Sequence, residues 1–147
     1  MSLIYDIDKN GLSCVKFNSA KHIDLTYYLL VKRQHFISYR KNISKANHKK
    51  FCLSHPYRFW YIIFKFDEPI GTFYLTKQNA VGININTDDL LIQKKVIKFI
   101  LRKFHPLKPI PSVTPEYFYF NVPMTNKNLM DDIEKIGGEK IQITFKV

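Results

Sequence analysis

The stretch RFWYIIFKF, residues 58–66, constrains the fold more than any other part of the chain. It is an almost unbroken run of aromatic and β-branched residues, the types that favour a pleated, extended backbone. An amphipathic strand alternates apolar and polar residues, and this one does not. A strand apolar on both faces is covered on both faces, so residues 58–66 are expected at the centre of a sheet with helices on either side.

The remaining elements follow from period and punctuation. Leu12 to Phe17 reads as a short strand. HIDLTYYLLVKR is helical, with Ile23, Tyr27, Leu30 and Val31 on one face. ISKANHKKFCLSHP is a second helix, with Ser44 as its N-cap and an end before Pro56. DEPIG is expected to turn the chain so that residues 72–75, TFYL, return as a hairpin partner. The next strand sets Val81, Ile83 and Ile85 on one face and Gly82, Asn84 and Asn86 on the other.

From Leu90 the period becomes helical, with Val96, Ile97, Ile100, Leu101 and Phe104 inward and Lys94, Lys98 and Arg102 outward. EYFYFNV (116–122) is a further strand. TNKNLMDDIEKIGG is a helix ended by Gly137 or Gly138, and KIQITFKV closes as an alternating strand. The order β-α-α-β-β-β-α-β-α-β combines an antiparallel run with two strand–helix–strand crossovers. The expected class is α/β: residues 1–147 as a single domain, a mixed β-sheet with helices on both faces.

Composition narrows the partners. Lys and Arg number 23 against 12 acids, a net charge of +11. Eleven of the basic residues lie between Lys16 and Lys65, where Asp24 is the only acid. A second basic set, Lys94, Lys95, Lys98, Arg102, Lys103 and Lys108, follows the glycine-containing strand. Such bias implies anionic ligands or surfaces: a phosphorylated cofactor, a nucleotide-linked substrate or nucleic acid. No apolar run is long enough to span a membrane, and residues 1–11 lack the pattern of a secretion leader. Cys14 and Cys52 are too few and too far apart for a metal site or a disulfide framework. Buried free thiols and a cytoplasmic location are expected.

This order of elements resembles the GNAT superfamily of acyl-CoA-dependent N-acyltransferases over nearly the whole chain. ISKANHKKF resembles the I-S-x-x-x-H-x-x-F/W helix of members that acetylate amino sugars or protein N-termini. FDEPIGTFYL resembles the family's polar-x-x-I-G-x-aliphatic hairpin, and VGINI its fourth strand. NVPMTNKNLMDDIEKIGGEKIQ resembles its closing V-x-x-x-N segment, which includes Asn126.

The resemblance implies acetyl-CoA or another acyl-CoA as donor. The pantetheine arm would lie where the fourth and fifth strands splay apart, paired with the backbone of Gly82, Ile83, Asn84 and Ile85. The pyrophosphate would meet the start of the next helix, where unpaired N–H groups and the helix dipole favour anions. The family writes R/Q-x-x-G-x-G/A there; this chain writes LLIQKK, residues 90–95. Both glycines are replaced. Main-chain N–H groups remain, Gln93, Lys94 and Lys95 add side-chain donors, and Leu91 and Ile92 are candidates to close the pocket instead. Asp88 and Asp89 are expected to cap that helix, and would repel a pyrophosphate.

Thioester aminolysis needs a neutral amine, a proton acceptor and stabilisation of the oxyanion. By resemblance the oxyanion donor is the amide of Ile83 or Asn84, and His48 is the candidate base. The family's last-helix tyrosine, which protonates the leaving thiolate, is replaced by Ile133, with Tyr119 or water to stand in. Arg33, His35 and Tyr39 fall where the family binds its acceptor, and Glu116 opens the next strand as a candidate relay. Three functions stay open: acetylation of a small, nucleotide-linked amine such as an amino sugar; acetylation of a protein N-terminus; and a non-catalytic module that binds nucleic acid or another anionic partner. Aromatics interleaved with basics, as in HFISYRK, suit the last of these.

Overall fold

The computed structural model describes residues 3–35 and 43–147. It forms one six-stranded mixed sheet in the order β1-β2-β3-β4-β5-β6, with four helices. The strands are β1 (Ile4–Asp6), β2 (Leu12–Lys16), β3 (Phe59–Lys65), β4 (Glu68–Leu75), β5 (Ala80–Ile85) and β6 (Tyr119–Phe120). The helices are α1 (Ile23–Lys32), α2 (Lys45–Leu53), α3 (Ile92–Lys103) and α4 (Lys127–Lys135). β1 to β5 pair antiparallel, and β5 pairs parallel with β6.

β3 is flanked by β2 and β4, and Trp60, Tyr61, Ile62 and Ile63 are all buried. Both faces are indeed covered. Tyr61, Ile63, Phe73, Leu75 and Val81 pack with Val96, Phe99 and Ile100 of α3. On the opposite face Trp60 meets Phe17, Phe51 of α2 and Tyr57, and α1 packs on β4.

Several expectations need correction. The β3–β4 turn is at Phe66–Asp67, with Lys65 paired to Glu68, so DEPIG is largely strand. Pro69 fits because it sits beside a bulge, where no ladder donor is required. α1 buries Thr26 and Leu29 and leaves Val31 exposed. The Thr26 hydroxyl donates to backbone carbonyls of its own helix, which makes a polar residue acceptable at the interface. α3 buries Phe99 and exposes Leu101. β6 covers two residues rather than 116–122, β1 was not foreseen, and residues 139–147 join no strand.

One buried asparagine fixes the long Pro-rich connection. Asn79, in the β4–β5 turn with φ 69°, is fully buried. Its side chain donates to the carbonyls of Leu107 and Pro115 and accepts from the Leu107 N–H. Its own carbonyl accepts from the Tyr119 N–H at 3.1 Å. Thus one turn residue places both the loop and the start of β6, and so sets where β5 and β6 part.

Candidate active site

β5 and β6 are in register only at Ala80–Tyr119 and Val81–Phe120. Beyond Val81 the ladder ends and a wedge opens between the two parallel strands. The backbone direction of β5 follows from its other edge. Asn86 N–H donates to the Ile70 carbonyl, and Thr76 N–H to the Ala80 carbonyl. Antiparallel ladders alternate, so even-numbered residues of β5 bond to β4 and odd-numbered ones turn toward β6. The N–H and C=O of Ile83 and Ile85 therefore point into the wedge. The N–H of Asn84 is committed to β4, so Ile83 alone fits the expected oxyanion-donor position.

An aromatic and basic cluster covers β5 on the α1/α2 side. Tyr74 is paired with Gly82, and a Cβ built on Gly82 would stand 2.1 Å from Tyr74 Cζ. The phenol thus lies directly over the Gly82 backbone, a place open to it because that residue has no side chain. Tyr57 stacks on Tyr74 with ring centroids 4.0 Å apart and 8° between planes. Burial, then the neighbouring Tyr74, pushes the Tyr57 hydroxyl well above the usual tyrosine range. Burial also raises Tyr74, opposed by a hydrogen bond from Tyr57 and by the Arg33 guanidinium. Both phenols are neutral near pH 7 and act as hydrogen-bonding groups rather than bases. Burial lowers Arg33 from its usual value, opposed by its two tyrosine neighbours.

His35, two residues after Arg33, is tied to the loop before α4. Its Nδ1 is 2.8 Å from Thr125 Oγ1, which joins the end of α1 to the loop between β6 and α4. Arg33 thus lies by Tyr57 and Tyr74, and His35 by Thr125. Tyr39 lies outside the described residues.

The start of α3 differs from a glycine-rich phosphate loop in a specific way. Asp89 Oδ1 accepts from the Leu91 N–H at 3.0 Å, and the Asp89 carbonyl accepts from Ile92. A carboxylate therefore already occupies the positive end of the helix. The helix begins at Ile92 with Leu91 as its N-cap and no side-chain cap bond, so Asp88 and Asp89 do not cap it as expected; Asp89 holds only the turn before it. Leu91 is 60% exposed and Ile92 only 2%, so Ile92 belongs to the core and Leu91 points outward. The side chains of Gln93 and Lys95 are engaged elsewhere: Gln93 Nε2 donates to Asp132 at 2.9 Å, and Lys95 Nζ pairs with Asp8 at 3.0 Å. Main-chain N–H groups of the first turn, those of Gln93 and Lys94, have no helix carbonyl to reach.

Other expected site residues have structural partners. His48 is 5% exposed, with Nε2 2.8 Å from Thr26 Oγ1 and 3.2 Å from Cys52 Sγ. It joins α2 to α1, and burial lowers its pKa, opposed by a hydrogen bond to the Ile23 carbonyl. Asn126 is the N-cap of α4, its side chain accepting from Leu129 N–H. Tyr119 stands at the fork of the wedge, half-buried, and Glu116 is exposed. Cys14 and Cys52 are buried free thiols. Among the described residues no cluster of His, Cys, Asp or Glu has metal-binding geometry, and no helix is long and apolar enough to cross a membrane.

Sequence reasoning passed over Tyr57, Tyr74 and Thr125. A signal was available for Tyr74, a large aromatic whose hairpin register sets it against a glycine.

No protein-family model matches the sequence, and comparison with curated proteins gives no significant match. Among solved structures, the chain is similar to RimL, a ribosomal L7/L12 α-N-protein acetyltransferase in complex with coenzyme A. The TM-score is 0.63, with 12% identity over 91% of this chain and 82% of that one. It is also similar to an integron cassette protein from the mobile metagenome of V. cholerae, with TM-score 0.58 and 10% identity over 93% and 92% of the two chains. These likenesses show the fold: the six-stranded mixed sheet with its parallel β5–β6 pair and four helices is a GNAT fold.

Proposed function

We propose that this protein is an acyl-CoA-dependent N-acetyltransferase acting on a small primary amine. The observation that carries the reading is the β5 edge beyond Val81, where the N–H and C=O of Ile83 and Ile85 have no ladder partner among the described residues. Those groups fit the amides of a pantetheine arm as a substitute strand. Acyl-CoA bound there supplies an activated thioester.

The Ile83 N–H faces the position where negative charge develops on the acyl oxygen, and a fixed donor at that position lowers the barrier. The wedge holds amine and thioester in reach of each other, so proximity contributes a further share. As the C–N bond forms and the C–S bond breaks, the amine proton passes to water, and Tyr119, at the fork, or water would protonate the leaving sulfur. His48 serves as an interhelical contact in this reading.

The fit is uneven along the donor. The arm has its backbone partners, but the pyrophosphate end meets the Asp89 carboxylate and lacks the side chains of Gln93 and Lys95. Binding is therefore expected to rest on the arm more than on the phosphates. On the acceptor side, the His35–Thr125 contact ties the end of α1 to the loop before α4. That favours a small amine over a polypeptide end, which needs an open groove. Arg33, next to Tyr57 and Tyr74, suits an acceptor with an anionic group, such as an amino sugar carried on a nucleotide.

An acceptor screen tests this. Amino-sugar nucleotides, free amino sugars and N-terminal peptides are offered with acetyl-CoA, and release of free thiol is followed. Turnover with a small amine and none with peptides is expected. Turnover with peptides alone would overturn the acceptor assignment. Binding of nucleic acid that falls steeply with salt, with no response to acetyl-CoA, would replace the enzyme by an anion-binding module.

A further inference from the structure

The wedge has two sides, and the acyl chain of a donor bound there must lie on one of them. Ile83 and Ile85 turn to the α3 side and pack against its core, as do Phe118 and Phe120. That side is occupied. Gly82 and Asn84 face the α1/α2 side, and Gly82 places no side chain there. An acyl group whose oxygen rests on the Ile83 N–H therefore has its tail on the side of Gly82.

Tyr74 stands on that side. Its ring crosses from β4 so that Cζ, Cε1 and the hydroxyl lie over Gly82, one residue before the Ile83 donor. Tyr57 stacks on the ring with centroids 4.0 Å apart, and its hydroxyl donates to that of Tyr74. Tyr57 in turn meets Trp60 and Phe51 edge-on, at 5.4 and 5.5 Å. A ring backed in this way does not swing aside without displacing a packed tryptophan and its neighbours. Tyr57, Tyr74 and Gly82 are nonetheless only half-buried, so part of each still meets solvent.

We propose that Tyr74, held by Tyr57, sets the length of the acyl group: acetyl fits beside the phenol, and a longer chain meets the ring. The inference rests on the acyl-CoA reading of the wedge and adds its acyl specificity. Each further methylene has to push a packed ring out of place, and such overpacking costs more than the burial of the methylene returns. A longer aliphatic tail would also take water from the Arg33 guanidinium beside the two phenols.

Calorimetric titration of the full chain with acetyl-CoA and hexanoyl-CoA tests this, together with Tyr74→Ala, Tyr74→Phe and Tyr57→Ala. The wild-type protein is expected to bind acetyl-CoA at least about tenfold tighter than hexanoyl-CoA. Tyr74→Ala should bring the two within about threefold of each other. Tyr74→Phe should keep the wild-type preference, because the ring rather than its hydroxyl excludes the chain. Tyr57→Ala removes the backing and leaves Tyr74 in place, so it should narrow the preference even if Tyr74→Ala does not fold. Equal affinities in the wild type, or a full preference kept by folded Tyr74→Ala or Tyr57→Ala, overturn the proposal and leave the acyl-CoA reading standing. Failure of acetyl-CoA to bind the wild type overturns that reading, and the proposal with it.

Discussion

The phenol of Tyr74 lies over the backbone of Gly82, close enough that a single methyl group there would stand 2.1 Å from the ring. This contact links the aromatic cluster on β4 to the strand whose edge forms the wedge. Gly82→Ala is expected to destabilise the fold by about 1–3 kcal/mol, the usual range for overpacking. Tyr74→Ala creates room, so the double variant should lose less than the sum of the two single ones. Thermal unfolding of the four proteins measures this coupling. Additive losses would show that the ring moves aside without cost.

Asp89 sits on the N–H of Leu91, at the helix end that an anionic ligand would use. Asp89→Asn keeps an oxygen acceptor and removes the charge. A charge at a helix terminus is worth ~0.3–1 kcal/mol, up to ~2 when partly buried. Asp89 is exposed, so affinity for CoA should rise roughly two- to fivefold, with little change in stability. Titration of both proteins at one salt concentration checks it, and equal affinities would remove Asp89 from the account.

Asn79 combines a positive φ with three side-chain hydrogen bonds to the 107–115 connection, and it is fully buried. Asn79→Ala leaves buried backbone groups without partners, each costing about 1–3 kcal/mol. A loss of about 2–4 kcal/mol is expected, together with faster hydrogen exchange at the Tyr119 amide. Exchange measured by residue separates loosening of β6 from uniform destabilisation.

His48 is held neutral in the folded protein because burial lowers its pKa, and burial lowers His22 and His55 in the same direction. The unfolded chain then binds more protons than the folded one once the pH falls below the ordinary histidine value of about 6.5. Stability is fully present above that pH and is lost as pH falls through it toward the lowered folded values. Melting temperature should decline between about pH 7 and pH 5. His48→Gln retains an amide for Thr26 and should flatten part of that decline. A variant with the wild-type slope would assign the effect to the other two histidines.

The parts of this fold that were legible in the sequence are those set by burial on both faces or by a local cap. Residues 58–66 read as a central strand because nine neighbouring side chains left no polar face to expose. Ser44 read as an N-cap, and its Oγ does accept from the Asn47 N–H. Gly137 supplied the expected left-handed end of α4. What could not be read depended on distant partners. The inward face of α1 turns on Thr26, whose acceptability at an interface rests on its own helix carbonyls and on His48.

The site shows the same division. The resemblance implied the backbone of Gly82, Ile83, Asn84 and Ile85, but choosing Ile83 over Asn84 required knowing which edge β4 occupies. Lys95 and Gln93 looked available to phosphate until Asp8 and Asp132 were seen beside them. The length of β6 was overestimated because the aromatic run 117–120 is strand-like in composition, whereas pairing ends where the wedge begins.

The central claim is that the open edge of β5 holds the arm of an acyl-CoA. Calorimetric titration with acetyl-CoA, CoA and 3′,5′-ADP, at low and physiological salt, tests it most directly. The account predicts saturable binding of acetyl-CoA and CoA that persists at physiological salt, with 3′,5′-ADP, which has no arm, much weaker. Equal binding of all three that vanishes as salt rises, or no binding of any, would contradict it.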